Sequence, residues 1–265
     1  MYSPSRLAVK YLRYYFSASN GRGHGIHSPF VYDFVRRVLQ DKKRYTDYSR
    51  IGDLRRRLKK DGTILEIEDL GAGSAIGAGK RRSISELAGH AAKPARLGQL
   101  LFRIARYYQP GVLLELGTSL GLSTAYLAAG SINGRVWTIE GSAAIAAQAG
   151  KNFQSLEMGN VEQIVGDFDQ TLHPALDRIG RPELVFVDGN HRREPTLRYF
   201  GLLAGTMSSS SVLIFDDIHW SEEMEQAWDA IRADPRVMLT VDLFFIGLVF
   251  FREEFKIKQH FTIRF

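Results

Sequence analysis

From about residue 111 onward, short apolar runs alternate with stretches of helical spacing, and no other feature of the chain restricts its fold so tightly. VLLELG (112–117), RVWTIE (135–140), VEQIVGD (161–167), ELVFVDG (183–189) and SVLIFDD (211–217) read as strands. Gly121–Ala129, Ala143–Leu156, Leu172–Ile179, Thr196–Met207 and Glu222–Ala233 read as the helices between and after them. Strands alternating with helices of this length imply βαβ units and a mostly parallel sheet covered on both faces. The ending breaks the rhythm. VMLTVDLF (237–244) and IGLVFFR (246–252) lie too close for a crossover helix, so they are expected to pair antiparallel. The fold class expected is α/β, a doubly wound, mostly parallel sheet closed by a hairpin.

Residues 1–110 have another texture. YLRYYF, PFVYDFVRRVL and IGDLRRRLKK carry helical spacing with basic faces, and PARLGQLLFRIARYYQP (94–110) sets Leu97, Leu100, Leu101, Ile104 and Tyr108 on one stripe. Two Gly/Ser-rich loops, 17–29 and 71–83, interrupt them. The expected organisation is a basic helical extension over 1–93 and a sheet domain over 94–265. Charge follows a similar division: residues 1–110 hold 22 Lys+Arg against 9 Asp+Glu, and residues 111–265 hold 13 against 20. That step suits an N-terminal part facing an anionic partner, or simply solvated basic helix surfaces. The absence of cysteine excludes disulfides, thiolate zinc sites, Cys nucleophiles and iron–sulfur ligation. The N-terminus lacks a signal-peptide apolar core, and the longest apolar run, LFFIGLVFF (243–251), is short of the ~20 residues of a membrane span. A cytoplasmic protein is expected.

Two glycine-rich segments compete for a nucleotide. ILEIEDLGAGSAIG (64–77) begins like a strand-to-glycine turn, but Gly77, Gly79, Lys80, Arg81 and Arg82 do not open an apolar helix. It is read as a decoy, and 71–83 as a lid on the substrate side. LLELGTSLGLSTAYLA (113–128) fits better, with a strand, then Glu115-Leu-Gly117-Thr-Ser119-Leu-Gly121, then a helix at once. Gly117 lets a ligand approach the backbone, and the amides around Ser119 and Gly121 stand where a helix N-terminus offers donors to an anion. The next strand ends in Glu140, placed to accept ribose hydroxyls. Asp167 ends the third, placed for an adenine amino group with Phe168 beside the ring. All lie at strand C-termini, which line one crevice in such a sheet.

The set ELGTSLG, TIEGS, VGDF and VFVDGNH resembles the successive motifs of class I S-adenosylmethionine-dependent methyltransferases over about residues 94–252. The resemblance implies a Rossmann-like methyltransferase fold of seven strands with the last antiparallel. It also implies S-adenosylmethionine as cofactor. Glu115, Gly117 and Ser119 would hold its methionine end, Glu140 the ribose and Asp167 the adenine. Thr118, Gly121, Gly141, Ser142, Phe168 and Asp188 complete the implied contacts. An NAD-type domain is disfavoured, because the glycine pattern is E-x-G-x-x-x-G and not G-x-G-x-x-G.

Asp188 ends the fourth strand, and Asp216 and Asp217 end the fifth. Carboxylates converging there would repel, and a hard divalent cation, Mg2+ or Ca2+, would relieve the repulsion. This looks like the metal-dependent O-methyltransferases of catechol type and of sugar and macrolide type. The cation would chelate vicinal hydroxyls of a small acceptor and acidify one of them. Asn190 stands where some sugar-modifying relatives carry a second acid, leaving Asp188, His191 or His219 for acid–base work. In a purely structural alternative Asp217 caps a turn or the following helix, His219-Trp220 packs against the sheet, and only Asp188 and Asp216 face the cleft. Arg192 and Arg193 suit an acidic acceptor or plain solvation. His24 and His27 lack a third ligand. Rival readings are an RNA methyltransferase using the basic N-terminal region and a non-catalytic binding protein that kept the fold. In the latter a basic N-terminal helix could lie on an anionic membrane. A homo-oligomer is compatible with each.

Overall fold

The structure is a computed structural model that describes residues 1–19, 21, 27–67, 81–90 and 94–265. His24, the decoy turn after Ile67 and most of the 71–83 loop lie outside the described residues. The first elements are α1 (Pro4–Ser17), α2 (Pro29–Phe34), α3 (Thr46–Leu58), β1 (Ile64–Glu66), β2 (Arg81–Ser83), α4 (Ile84–His90) and α5 (Ala95–Tyr108). The alternating region follows as β3 (Val112–Leu116), α6 (Leu122–Gly130), β4 (Arg135–Glu140), α7 (Ala143–Ser155), β5 (Val161–Val165) and α8 (Phe168–Ile179). It continues as β6 (Leu184–Val187), α9 (Arg193–Ala204), β7 (Val212–Asp216) and α10 (Glu222–Ala233). The last elements are β8 (Leu239–Asp242), β9 (Ile246–Phe250) and β10 (Gln259–Thr262). Among the described residues no helix is long and apolar enough to cross a membrane.

The chain forms two compact units, Lys42–Gly180 and Met1–Asp41 with Arg181–Phe265. In the first, β3, β4 and β5 pair in parallel, with Leu114 opposite Trp137 and Thr138 opposite Gln163. The run VLLEL is almost wholly buried, as a strand covered on both faces must be. Helix α3 turns Ile51, Leu54 and Leu58 inward against Ile84, Leu87, Phe102, Ala125 and Tyr126, while Arg56 and Arg57 stay in water. Burying each such leucine stabilises by about 2 kcal/mol before entropy is counted. The basic helix is thus a packed element and not an appendage.

In the second unit the strand order is β6-β7-β9-β8-β10. Strand β9 runs antiparallel to both β7 and β8, so the predicted hairpin is present and the remaining pairings are parallel. The sheet strands number eight, not seven, because β10 adds beside β8. Its alternating half-buried and exposed pattern over Gln259-His-Phe-Thr262 gives a weak signal, typical of a short edge strand. Helix α1 packs Tyr14, Leu7 and Tyr11 against Phe244, in the turn of the β8–β9 hairpin. Phe244 sits at φ +72°, costly for an aromatic residue, and its N–H is held by Asp242 Oδ1 at 2.8 Å.

Candidate active site

In the Lys42–Gly180 unit, β3 enters α6 through a turn with Gly117 at φ +102°, Ser119 at +47° and Gly121 at +77°. A Cβ on Gly121 would lie 2.5 Å from the ring of Phe153 in α7, so only glycine fits. The N–H groups of Gly117 and Thr118 both donate to the Ile139 carbonyl, at 3.0 and 3.3 Å. Glu140 ties two turns together. Its Oε2 accepts the Ser119 N–H at 2.8 Å and its Oε1 the Ser142 N–H at 3.0 Å. Burial pushes this carboxyl up, amide bonds from Ser142, Ser119 and Gly141 pull it back, and the net direction is up.

Beneath the turn lies a feature that sequence reasoning missed. Glu115 is fully buried, and its Oε2 accepts the hydroxyls of Thr124 and, at 2.7 Å, Thr138. Thr138 and Thr118 hydroxyls meet at 2.6 Å. Glu115 and the Thr118 side chain therefore face the interior and support the turn, where the resemblance had them at the cofactor's surface. The signal was faint: three threonines scattered over a strand, a turn and a helix announce nothing until register aligns them. Gly121 and Ser142 are also buried, and Ser142 caps α7. Gly117, Ser119, Glu140, Gly141, Asp167 and Phe168 keep partial exposure. Asp167 Oδ1 caps α8 by accepting the Asp169 N–H at 2.7 Å, so a helix cap and an adenine acceptor would share one carboxylate.

The acidic residues belong to the other unit. Asp188 follows β6, and Asp216 is the last residue of β7, only 1% exposed. Among the described residues, Asp188, His191 and Asp216 each offer a ligand atom, all within 4.8 Å of one another. Asn190 at φ +52°, a conformation asparagine tolerates, folds the DGNH segment back so that His191 Nε2 lies 3.5 Å from Asp188 Oδ1. Asp217 is outside this group. It takes φ +53°, its N–H donates to the Phe245 carbonyl at 2.7 Å, and its carbonyl accepts the Trp220 N–H at 2.9 Å. Of the three aspartates expected to converge, Asp217 thus lies in a turn outside the cluster, and His191, expected only for acid–base work, lies within it. Arg192 and Arg193 are exposed, and Arg192 Nε donates to Asn190 Oδ1 at 3.0 Å.

His219 has a different task from the one expected. Nδ1 lies 2.9 Å from Glu225 Oε1 and Nε2 lies 2.8 Å from Asp242 Oδ2, while the ring stacks on Phe244. Burial works against its charged form, but the two carboxylates outweigh burial and raise its pKa. An imidazole with both nitrogens engaged by carboxylates is a poor general base. Tyr2 and Lys10 donate to the same Glu225, at 2.7 and 2.9 Å, so the cluster fastens α1 to α10.

Residues 114–218 match the model of a family described as a methyltransferase domain. No curated protein matches the sequence. Among solved structures the chain is similar to the SAH-bound methyltransferase PaMTH1 of Podospora anserina, at 14% identity over 96% of this chain and 98% of that one, with a TM-score of 0.57. It is similar to the O-methyltransferase TomG of Streptomyces achromogenes, solved with SAM, at 21% identity over 82% and 95% of the chains and a TM-score of 0.55. An O-methyltransferase of Bacillus cereus, solved with SAH, gives 18% identity, 81% and 95% coverage, and 0.53.

Proposed function

We propose that this chain, whose fold and family match are those of an S-adenosylmethionine-dependent methyltransferase, methylates an oxygen of a small hydroxylated acceptor with a divalent cation in place. The observation that carries the reading is the convergence of Asp188, His191 and Asp216 within 4.8 Å at the ends of β6 and β7. Two carboxylates and one imidazole make a plausible donor set for an ion. The imidazole moves the expected metal from magnesium or calcium toward manganese, iron(II) or zinc. A bound cation would supply acidification of an acceptor hydroxyl.

S-adenosylmethionine, when bound, would supply an electrophilic methyl group to the acceptor oxygen. The protein's share is placement. Glu140, braced by the Ser119 and Ser142 amides, would hold the ribose hydroxyls. Gly117 and Ser119 would present backbone to the methionine end, and Asp167 and Phe168 would meet the adenine. Asp216, almost fully enclosed, would serve as a ligand to the ion. Asp188 and His191, partly exposed, would complete the donor set on the side open to the acceptor.

The test is methyl transfer to a panel of vicinal diols and catechols, with and without chelator, followed by ion add-back. Oxygen methylation abolished by chelator and restored by manganese, iron(II) or zinc supports the reading. Turnover indifferent to chelator removes the ion from it, and methylation of nitrogen or carbon alone removes the acceptor class.

A further inference from the structure

Helix α1 is apolar on two opposite faces. One face packs inward: Tyr11 and Tyr14 lie 5.1 and 5.2 Å from the Phe244 ring. The other carries Val9, Leu12 and Phe16, spaced i, i+3 and i+7, at 50%, 54% and 78% exposure. Together with Arg13 and Ser17 they line a shallow surface hollow. A helix apolar all round normally buries every face, and a contiguous outward stripe marks a binding surface.

The helix itself carries charge of one sign, with Glu222 and Glu225 of α10 lying on its Tyr2 and Lys10 side. Residues 1–17 contain Arg6, Lys10 and Arg13 and no acid. Lys10 is taken by Glu225, whereas Arg6 and Arg13 form no ion pair with any described carboxylate. Arg6 lies over the Tyr2 ring at 4.2 Å, and Arg264 lies over Tyr15 at 4.3 Å, so guanidinium groups border the stripe. We propose that this outward face of α1 seats the protein on an anionic phospholipid surface, with Val9, Leu12 and Phe16 entering the acyl boundary and the arginines meeting lipid phosphates. The helix needs no refolding to do so. The Lys10–Glu225 pair and the Tyr14 hydroxyl, which donates to the Ile263 carbonyl and accepts the Phe265 N–H, hold it in place. A second copy fits the face poorly, because pairing two such stripes would bring arginines against arginines. RNA fits poorly too, since aliphatic Val9 and Leu12 offer no ring for a base to stack on. The inference does not depend on the methyl-transfer reading.

Flotation of the full chain with vesicles tests it, using phosphatidylglycerol or phosphatidylserine mixtures against pure phosphatidylcholine. Expected are binding to the anionic vesicles only and a loss with added salt. Phe16→Ser should weaken partitioning at least about tenfold. Arg13→Gln should weaken it about fivefold, the equivalent of roughly 1 kcal/mol. Both sites are exposed, so melting temperatures should not change. Failure to float overturns the proposal, as does equal binding to neutral vesicles. A dimer that Phe16→Ser dissolves, without lipid binding, assigns the face to a second copy. RNA retention that needs Arg13 but not Phe16, again without lipid binding, assigns it to nucleic acid.

Discussion

Replacing Glu140 with glutamine tests the proposed ribose contact separately from folding. In the wild type each carboxylate oxygen accepts one backbone N–H, from Ser142 and from Ser119. A carboxamide keeps one acceptor, and its NH2 must face the other amide. One charge-assisted bond is lost, along with one of the two that the ribose would receive. At about 1.5–3 kcal/mol per bond to a charged group, affinity for S-adenosylhomocysteine should fall roughly 10- to 150-fold by calorimetric titration. Stability should respond differently. Because burial raises the folded pKa, the ionised carboxylate contributes against folding at neutral pH. Its favourable contribution is complete below the unfolded pKa and is lost as pH rises through the folded value. The glutamine variant without ligand should therefore melt within about 3 °C of the wild type. Wild-type affinity should weaken as pH falls through the raised pKa, and the variant's should stay flat. Unchanged affinity refutes the ribose assignment. A matched collapse of affinity and melting temperature shows that Glu140 only braces the turns.

Asp216→Asn and His191→Ala should each reduce manganese or zinc affinity by more than about tenfold, while Asp217→Asn should do much less; equal effects in a metal titration would restore the all-aspartate set. Thr138→Val should cost about 1–3 kcal/mol by withdrawing a hydroxyl from buried Glu115, seen as a lower urea midpoint with an unchanged slope. His219→Gln should cost about 2 kcal/mol. The raised His219 stabilises below its unfolded pKa and loses this as pH climbs through the folded value. The lowered Glu225 stabilises above its unfolded pKa and loses this as pH drops. The wild-type advantage should thus be greatest between about pH 4.5 and 6.5, the ordinary values of the two groups, and a flat difference across pH would refute the coupling.

The alternation after residue 111 was legible because strands buried on both faces must be apolar throughout, and β4 and α10 occupy the expected positions. Helix α8 begins at Phe168, four residues before the expected Leu172, because Asp167 caps it; a polar first turn hides a helix from apolar periodicity. Strand β10 escaped for the reason given by its half-exposed pattern. The positions of Glu140, Asp188 and Asp216 at or just beyond strand ends were legible, because each follows an apolar run. The site was illegible where backbone dihedrals decide. Nothing in DGNH or FDDIH announces that Asn190 and Asp217 take positive φ, and those two turns bring His191 in and leave Asp217 out.

The hydroxyl ladder on Glu115 has a kinetic corollary. A loop propped from below by a buried, hydrogen-bonded carboxyl is already shaped when its guest arrives, so binding demands little further ordering. Under the proposed function such a preformed seat would hold the adenosyl portion shared by spent and fresh cofactor alike. Only the sulfonium charge is left to tell them apart, so the by-product should be a strong competitive inhibitor, and its departure is a natural bottleneck of the cycle.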